Sequence, residues 1–225
     1  MKSCAFFDVD HTLIKGSTGT ETAKEAVRTG IIPTSVLLKI PLLYLKYRIG
    51  FFAPSILERL LRFLEGMHIE EIRELGNRVF EKSLSEKVFI DAVETVERER
   101  SLGREVVLAT SSLGCIVEPL ADYLEVGRII ATEIETEGGV VTGYFDGAPA
   151  FGEGKQKKTE VYMREEGIDP GRCSFYTDSY YDLPLLKKIG EPAAVNPDRR
   201  LRKEAERRHW RIYRFSATVS GESKG

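Results

Sequence analysis

The chain has 225 residues, of which 42% are hydrophobic and 30% charged, and its formal net charge is −2. That length suits one large domain or one domain carrying an insertion. The small net charge argues against an obligate nucleic-acid partner. Cys4, Cys115 and Cys173 are far apart and lack metal-type spacing, so we expect reduced thiols in a cytoplasmic protein. The first apolar stretch is too short for the core of a signal peptide.

The first predicted element is a short buried strand, Ser3 to Phe7, which is followed by two acidic residues, Asp8 and Asp10. Open α/β sheets bind ligands at the carboxyl ends of their strands. Side chains alternate along a strand, so the two carboxylates can share one face, where one could attack and the other could transfer protons. A turn that closes the strand explains an isolated Asp-x-Asp pair equally well.

Residues 15–89 have a different character, with apolar residues at helical spacing and almost no strand-like alternation. We predict that they form an all-helical subdomain inserted into an α/β core of residues 1–14 and 90–215. Two apolar stripes carry this prediction: Ile56, Leu60, Leu61, Phe63 and Leu64, and then Ile69, Ile72, Leu75, Val79 and Phe80.

The most apolar stretch of the chain is Val36 to Phe52. It is interrupted by Lys39, Lys46 and Arg48, and a membrane span needs about 20 mostly apolar residues, so we predict no stable membrane insertion. Burial in the helical subdomain is favoured. A wall of the active site, a homodimer contact and a helix lying on a membrane surface remain open.

The α/β pattern resumes after residue 89. The spacing predicts helices over Asp91–Leu102, Gly114–Leu124, Gly152–Gly167 and Asp198–Arg208. Predicted strands cover Glu105–Ala109, Arg128–Glu135, Val140–Phe145, Cys173–Thr177, Ala193–Asn196 and Trp210–Tyr213. Residues 216–225 are polar and are predicted to be a disordered tail. The helix from Asp198 is basic, but Glu204 and Glu206 interrupt the charge, which favours a solvated face over nucleic-acid contact.

Several strand ends and one helix start place polar side chains at what could be a single rim. They are Asp8, Asp10, Thr110, Lys155, Asp178 and Asp182. Phosphoryl transfer from a monoester to an aspartate needs a carboxylate nucleophile, a proton donor for the leaving alkoxide and a hard cation. It also needs hydrogen-bond donors and a fixed positive charge around the phosphate, which Thr110, the amide of Ser111 and Lys155 can supply.

Four segments in this order resemble the motifs of haloacid dehalogenase superfamily phosphatases. They are Asp8-Val-Asp10-His-Thr12, Val106 to Ser112, Gly154-Lys155 and Asp178-Ser-Tyr-Tyr-Asp182. The chain is most similar to the phosphoserine phosphatase-like branch, subfamily IB, whose helical C1 cap lies between the first two motifs, where residues 15–89 are found. The resemblance covers roughly residues 1–213 and implies a Rossmann-like parallel sheet with an inserted helical cap.

The resemblance also implies roles for individual residues. Asp8 would be the nucleophile, Asp10 the general acid and then base, and Thr110, Ser111 and Lys155 the phosphate contacts. Magnesium would be held by Asp8, the Asp10 carbonyl and Asp178, with Asp182 and Thr12 supporting the site from behind.

Two departures concern the substrate. Members specific for phosphoserine resemble one another in a glutamate nine residues after the nucleophile, where this chain has Ser17. A cap arginine of those members would fall near Glu58, with Arg59 as its nearest replacement. We therefore expect a small phosphorylated metabolite as substrate, with phosphoserine doubtful. The fourth motif also has Thr177 where a glycine is usual.

The sequence prediction is a magnesium-dependent phosphomonoester hydrolase that works through an aspartyl-phosphate. A phosphomutase or phosphonate hydrolase is the nearest enzymatic alternative. A response-regulator receiver also uses an aspartate, magnesium, a threonine and a lysine, but lacks a cap of this length. A non-catalytic interaction module is the third alternative.

Overall fold

A computed structural model describes residues 2–35 and 61–220, and its centre is a six-stranded parallel sheet. In spatial order the strands are β3 (Arg128–Thr132), β2 (Glu105–Leu113), β1 (Cys4–Phe7), β6 (Ser174–Thr177), β7 (Glu191–Val195) and β8 (Arg211–Tyr213). Two further strands, β4 (Ile134–Glu137) and β5 (Val140–Phe145), form a separate antiparallel hairpin.

Strand β1 lies in the middle of the sheet, and every residue of it is buried. Ala5 is in register with Val106 on one side and with Ser174 on the other. A short apolar strand without alternation is typical of this position, because both faces of a parallel sheet are covered by helices. The predicted α/β fold class is thereby confirmed.

The described helices follow the predicted order with small shifts at their ends. They are α1 (Thr18–Arg28), α2 (Ile69–Val79), α3 (Ile90–Ser101), α4 (Gly114–Tyr123), α5 (Glu153–Glu165), α6 (Leu183–Leu186) and α7 (Arg199–Arg208). Pro119 lies inside α4. Helix α7 begins after Asp198, whose side chain accepts from the backbone N–H groups of Arg200 and Leu201.

Two strand predictions were wrong at their ends. Strand β2 continues through the hydroxyl residues to Leu113, with an irregularity in its pairing to β3 after Ala109. The single strand predicted over Arg128–Glu135 is divided at Glu133, because the chain leaves the parallel sheet there and enters the β4–β5 hairpin.

Two helices of the predicted cap, α1 and α2, are described. Helix α1 packs on α2, and α2 packs on α4 of the core. Helices α2 and α4 approach closely at Gly76, where an added Cβ would lie 2.8 Å from the carbonyl oxygen of Cys115 and 3.1 Å from the Cα of Ile116. Pro119 has no N–H to donate to that Cys115 carbonyl, four residues earlier in α4. Ile72, Leu75 and Val79 of the second predicted stripe are buried in α2.

The β4–β5 hairpin holds the segment that precedes α2. The N–H of Gly66 donates to the Val141 carbonyl, and the N–H of Val141 donates to the Met67 carbonyl, both at 2.9 Å. The Arg62 guanidinium donates to the Tyr144 hydroxyl at 2.8 Å. A hairpin from the core thus contacts the start of the second cap helix.

Residues 216–220 form backbone hydrogen bonds with residues 88–90, whereas the sequence predicted a disordered tail. The N–H of Ile90 donates to the Ala217 carbonyl at 3.0 Å, and the N–H of Val219 donates to the Val88 carbonyl at 3.1 Å. Val88 also bridges to Ile14 on the other side. The tail therefore lies beside the two segments that connect the predicted cap to the core.

Some sequence predictions fall on residues outside the described ranges. These are the Val36 to Phe52 stretch, Arg59, Ile56 and Leu60, and residues 221–225. Within residues 2–35 and 61–220, no helix combines the length and apolar character needed to cross a membrane. Cys4, Cys115 and Cys173 are free thiols and buried, and burial raises the pKa of Cys4 and of Cys115 to about 12.

Candidate active site

Lys155 joins two carboxylates at the carboxyl edge of the sheet. Its Nζ lies 3.0 Å from Oδ1 of Asp8 and 2.9 Å from Oδ2 of Asp182, and all three residues are buried. Asp8 follows β1, and its N–H donates to the Tyr176 carbonyl on β6 at 2.9 Å. Residues far apart in sequence therefore meet because adjacent parallel strands end at the same edge.

The first turn of α5 places Lys155, and Gly154 allows the chain to enter that turn. A Cβ at Gly154 would lie 2.0 Å from the Pro149 carbonyl oxygen, so a side chain at this position would clash with the backbone. Although burial lowers the pKa of Lys155, its contacts with Asp182 and Asp8 raise that pKa above the ordinary value. Lys155 therefore remains a cation beside the two carboxylates.

Thr177 orients Asp182, a role that the sequence did not predict. The Thr177 hydroxyl donates to Oδ2 of Asp182 at 2.7 Å and accepts from the N–H of Ser179 at 3.1 Å. The only sign of this role in the sequence was that Thr177 stands where a glycine is usual. Asp178, buried at the end of β6, accepts from the N–H of Asp198 through its main-chain carbonyl at 2.9 Å.

The charges at this edge suit a bound cation. Asp8, Asp10, Asp178 and Asp182 carry four carboxylates, and Lys155 carries one ammonium. Burial raises the pKa of Asp8 to about 7; Lys155 opposes that shift, and Asp182 and Asp10 add to it. Within the described ranges no group of three or more His, Cys, Asp or Glu side chains is placed to hold a metal ion. A site here would combine carboxylates with a main-chain carbonyl, which are the hard oxygen ligands that magnesium prefers.

Thr110, the predicted phosphate contact on β2, is buried, and its hydroxyl accepts from the N–H of Ser112 at 3.1 Å. The Thr132 hydroxyl donates to the Ser111 carbonyl at 2.9 Å and accepts from the N–H of Ala150 at 3.0 Å. These contacts fix the end of β2 relative to β3 and to the loop before α5.

Asp10 is bound by the start of the predicted cap. Its Oδ1 accepts from the Thr18 N–H at 2.9 Å and from the Thr18 hydroxyl at 2.8 Å, and its Oδ2 accepts from the Ser17 hydroxyl at 2.8 Å. The Thr18 hydroxyl is also in short contact with the Ser112 hydroxyl. The sequence drew attention to Ser17 as a candidate substrate contact, because it stands where phosphoserine-specific members have a glutamate, whereas Thr18 and Ser112 were given no individual role.

Thr12 is fully buried in the turn after β1. Its N–H donates to the Val9 carbonyl at 3.2 Å, and its hydroxyl has no hydrogen-bond partner among the described residues. The structure thus places Thr12 behind the two aspartates without giving its hydroxyl a contact to either of them. Asn196 supports the same turn by donating its Nδ2 to the His11 carbonyl at 3.3 Å.

The sequence model of haloacid dehalogenase-like hydrolases matches residues 5–187, and the chain belongs to that family. It is a phosphatase of the phosphoserine phosphatase-like branch. This confirms the resemblance and the enzyme class inferred from the four motifs, and it does not support the response-regulator or non-catalytic alternatives.

Three of the relatives that the chain resembles are phosphatases. A probable phosphatase of Mycobacterium tuberculosis is 30% identical over 97% of this chain and 77% of its own length. The phosphoserine phosphatase SerB1 of Mycobacterium tuberculosis is 27% identical over 96% of this chain and 71% of its own. A histidinol-phosphatase of Neisseria meningitidis is 28% identical over 96% of this chain and 100% of its own.

A solved phosphoserine phosphatase, captured as a phospho-aspartyl intermediate analogue, shares the fold. Its TM-score is 0.71 at 20% identity, and the match covers 96% of this chain and 94% of that one.

Proposed function

We propose that the protein is a magnesium-dependent phosphomonoesterase that forms an aspartyl-phosphate on Asp8 and acts on a small phosphorylated metabolite. The observation that carries the proposal is the contact of one lysine with both Asp8 and Asp182 at the carboxyl edge of the sheet. A nucleophilic carboxylate must be ionised and held still. The contact with Lys155 fixes Asp8 and lowers its pKa, which opposes the effect of burial.

The proposed reaction has two steps. The Asp8 carboxylate attacks phosphorus, and the departing alkoxide takes a proton from Asp10. Water then attacks the phosphorus of the aspartyl-phosphate, Asp10 takes the proton of that water, and the Asp8 carboxylate is released with inorganic phosphate. Thr110, the Ser111 amide and Lys155 would contact the phosphate oxygens during both steps.

Asp8, Asp178 and the carbonyl of Asp10 would hold the magnesium ion. Bound there, magnesium would offset the charge of the carboxylates and polarise a phosphate oxygen. The raised pKa of Asp8 supports this assignment, because its causes are burial and neighbouring negative charge, which a cation opposes.

The substrate is proposed at the level of its class. Ser17 has no carboxylate with which to bind a substrate ammonium group, and its hydroxyl is engaged with Asp10. Phosphoserine and histidinol phosphate both belong in a substrate panel, because relatives carry the corresponding names. The free thiols support the proposed cytoplasmic location.

The test measures phosphate release by the full chain from a panel of phosphorylated metabolites and from p-nitrophenyl phosphate. We expect hydrolysis of at least one metabolite with magnesium, its loss on chelation and its recovery when magnesium is restored. Asp8→Asn should lower turnover by about 10³-fold or more, because an amide cannot form the acyl phosphate. Circular dichroism would show that the variant is folded. Metal-independent hydrolysis, or turnover by folded Asp8→Asn near that of the parent, would contradict the proposal.

A further inference from the structure

Helix α1 begins by binding a catalytic carboxylate. Ser17 is the N-cap residue of this helix, but its side chain makes no capping hydrogen bond to the helix. A serine at an N-cap ordinarily accepts from a free N–H group of the first turn. Here the Ser17 hydroxyl donates to Oδ2 of Asp10 instead. The Ser17 hydroxyl therefore binds Asp10 instead of capping the helix.

Among the described residues, Thr18 makes two of the three hydrogen bonds to the Asp10 carboxylate. Its backbone N–H, one of the unpaired donors of a helix start, and its hydroxyl both donate to Oδ1. Thr18 is 1% exposed, so this contact is shielded from water. Hydrogen bonds to a charged acceptor are stronger than neutral ones, and three of them restrict rotation of the carboxylate.

Thr18 has one hydroxyl hydrogen, and this determines which group donates in each of its hydroxyl contacts. Because that hydrogen is donated to Asp10, the Ser112 hydroxyl must be the donor in its short contact with Thr18. The N–H of Ser112 in turn donates to the hydroxyl of Thr110. A continuous series of contacts thus runs from the phosphate-binding end of β2, through Ser112 and Thr18, to Asp10.

We propose that Thr18 is a positioning residue that orients Asp10 for proton transfer, and that Ser112 fixes the Thr18 hydroxyl. This inference rests on the proposed function, in which Asp10 protonates the leaving group. A displacement of about 1 Å at a catalytic group can lower the rate by about 100-fold. Since α1 contacts α2, and α2 packs against α4, the position of the cap helices determines the orientation of Asp10.

The test compares Thr18→Val, which removes the hydroxyl at nearly constant volume, with Thr18→Ser, which retains it. The matched control is Thr22→Val in the same helix, because the Thr22 hydroxyl has no hydrogen-bond partner among the described residues. Each variant is assayed with p-nitrophenyl phosphate, whose leaving group needs little protonation, and with an alkyl phosphate metabolite hydrolysed by the parent.

We expect Thr18→Val to lower kcat/KM for the alkyl phosphate by about 10- to 100-fold, the usual range for a lost hydrogen bond to a charged group. The loss for p-nitrophenyl phosphate should be several-fold smaller, because only the alkoxide depends strongly on a proton from Asp10. Thr18→Ser should restore the rate to within about threefold, and Thr22→Val should match the parent.

Equal losses on both substrates, or no recovery in Thr18→Ser, would show that Thr18 only stabilises the fold and would overturn the inference. If Thr18→Val does not fold, Ser112→Ala decides, and it should reproduce the same dependence on the leaving group. Hydrolysis of neither substrate class by the parent would instead reject the proposed function.

Discussion

Asp8 and Asp10 are two residues apart, yet different parts of the molecule hold them. Asp8 is bound by Lys155, which also binds Asp182, so its surroundings are charged and lie within the α/β core. Asp10 is bound by Ser17 and Thr18, so its surroundings are neutral donors at the start of the first cap helix.

This difference separates the two proposed chemical roles. Asp8, the proposed nucleophile, is held by buried charges within the α/β core. Asp10, the proposed acid and base, is held by the start of α1, a helix that packs on α2 and α4. Changes in the core should therefore affect phosphoryl transfer to every substrate, whereas changes in cap position should act mainly on substrates whose leaving group needs a proton.

Replacing Lys155 should have the largest effect. Lys155→Met leaves Asp8 and Asp182 buried without their common cation, which should lower the free energy of unfolding by about 3–5 kcal/mol and abolish turnover on all substrates. Urea unfolding and phosphate release measure the two effects. Lys157→Met is the control, because Lys157 is exposed on the same helix. If Lys155→Met is as stable as the parent, the contacts of Lys155 with Asp8 and Asp182 do not stabilise the fold.

The sequence could predict the core site because a parallel sheet brings strand ends together by topology. Asp8, Lys155 and Asp182 come from three separate segments, and they were grouped because strand ends and the helix start that follows a strand lie at one edge of the sheet. The contact of Thr18 with Asp10 could not be predicted in that way. It depends on how α1 packs against α2 and α4, which come from distant parts of the sequence.

The same limit explains the errors outside the site. The sequence predicted strands on both sides of the β4–β5 turn, but the hydrogen bonds of this hairpin to residues 66–69 depend on tertiary packing. Residues 216–225 are mostly polar or small, and composition alone predicted disorder. The backbone groups of residues 216–220 pair with residues 88–90, a contact that side-chain composition does not encode.

Gly76→Ala tests the cap side of the comparison and should have an intermediate effect. The added Cβ would lie 2.8 Å from the Cys115 carbonyl oxygen, so α2 must move away from α4. We expect a loss of about 1–3 kcal/mol in the free energy of unfolding. Helix α1 packs on α2 and holds Asp10, so a shift of α2 should also displace Asp10. Activity on alkyl phosphates should therefore fall more than activity on p-nitrophenyl phosphate.

The control for Gly76→Ala is Gly127→Ala, where an added Cβ meets no atom within 4 Å. That variant should match the parent in both measurements. If Gly76→Ala lowers stability but reduces activity equally on both substrates, the position of the cap helices does not act through Asp10.

The smallest effect is expected from removing residues 216–225. The N–H of Ser216 donates to Oδ2 of Asp91 at 3.2 Å, and the backbone contacts of Ala217 and Val219 lie beside the cap connections. These three hydrogen bonds of about 0.5–1.5 kcal/mol each are lost, but the freed residues regain conformational entropy that offsets most of this, so we expect a loss of about 1 kcal/mol in unfolding free energy. Turnover at low temperature should change less than twofold, because none of residues 216–220 lies at the proposed site. Truncation after Ser220 is the matched control, because it keeps the hydrogen bonds of residues 216–220. An equal drop in both truncated proteins would show that residues 216–220 do not stabilise the connection between cap and core.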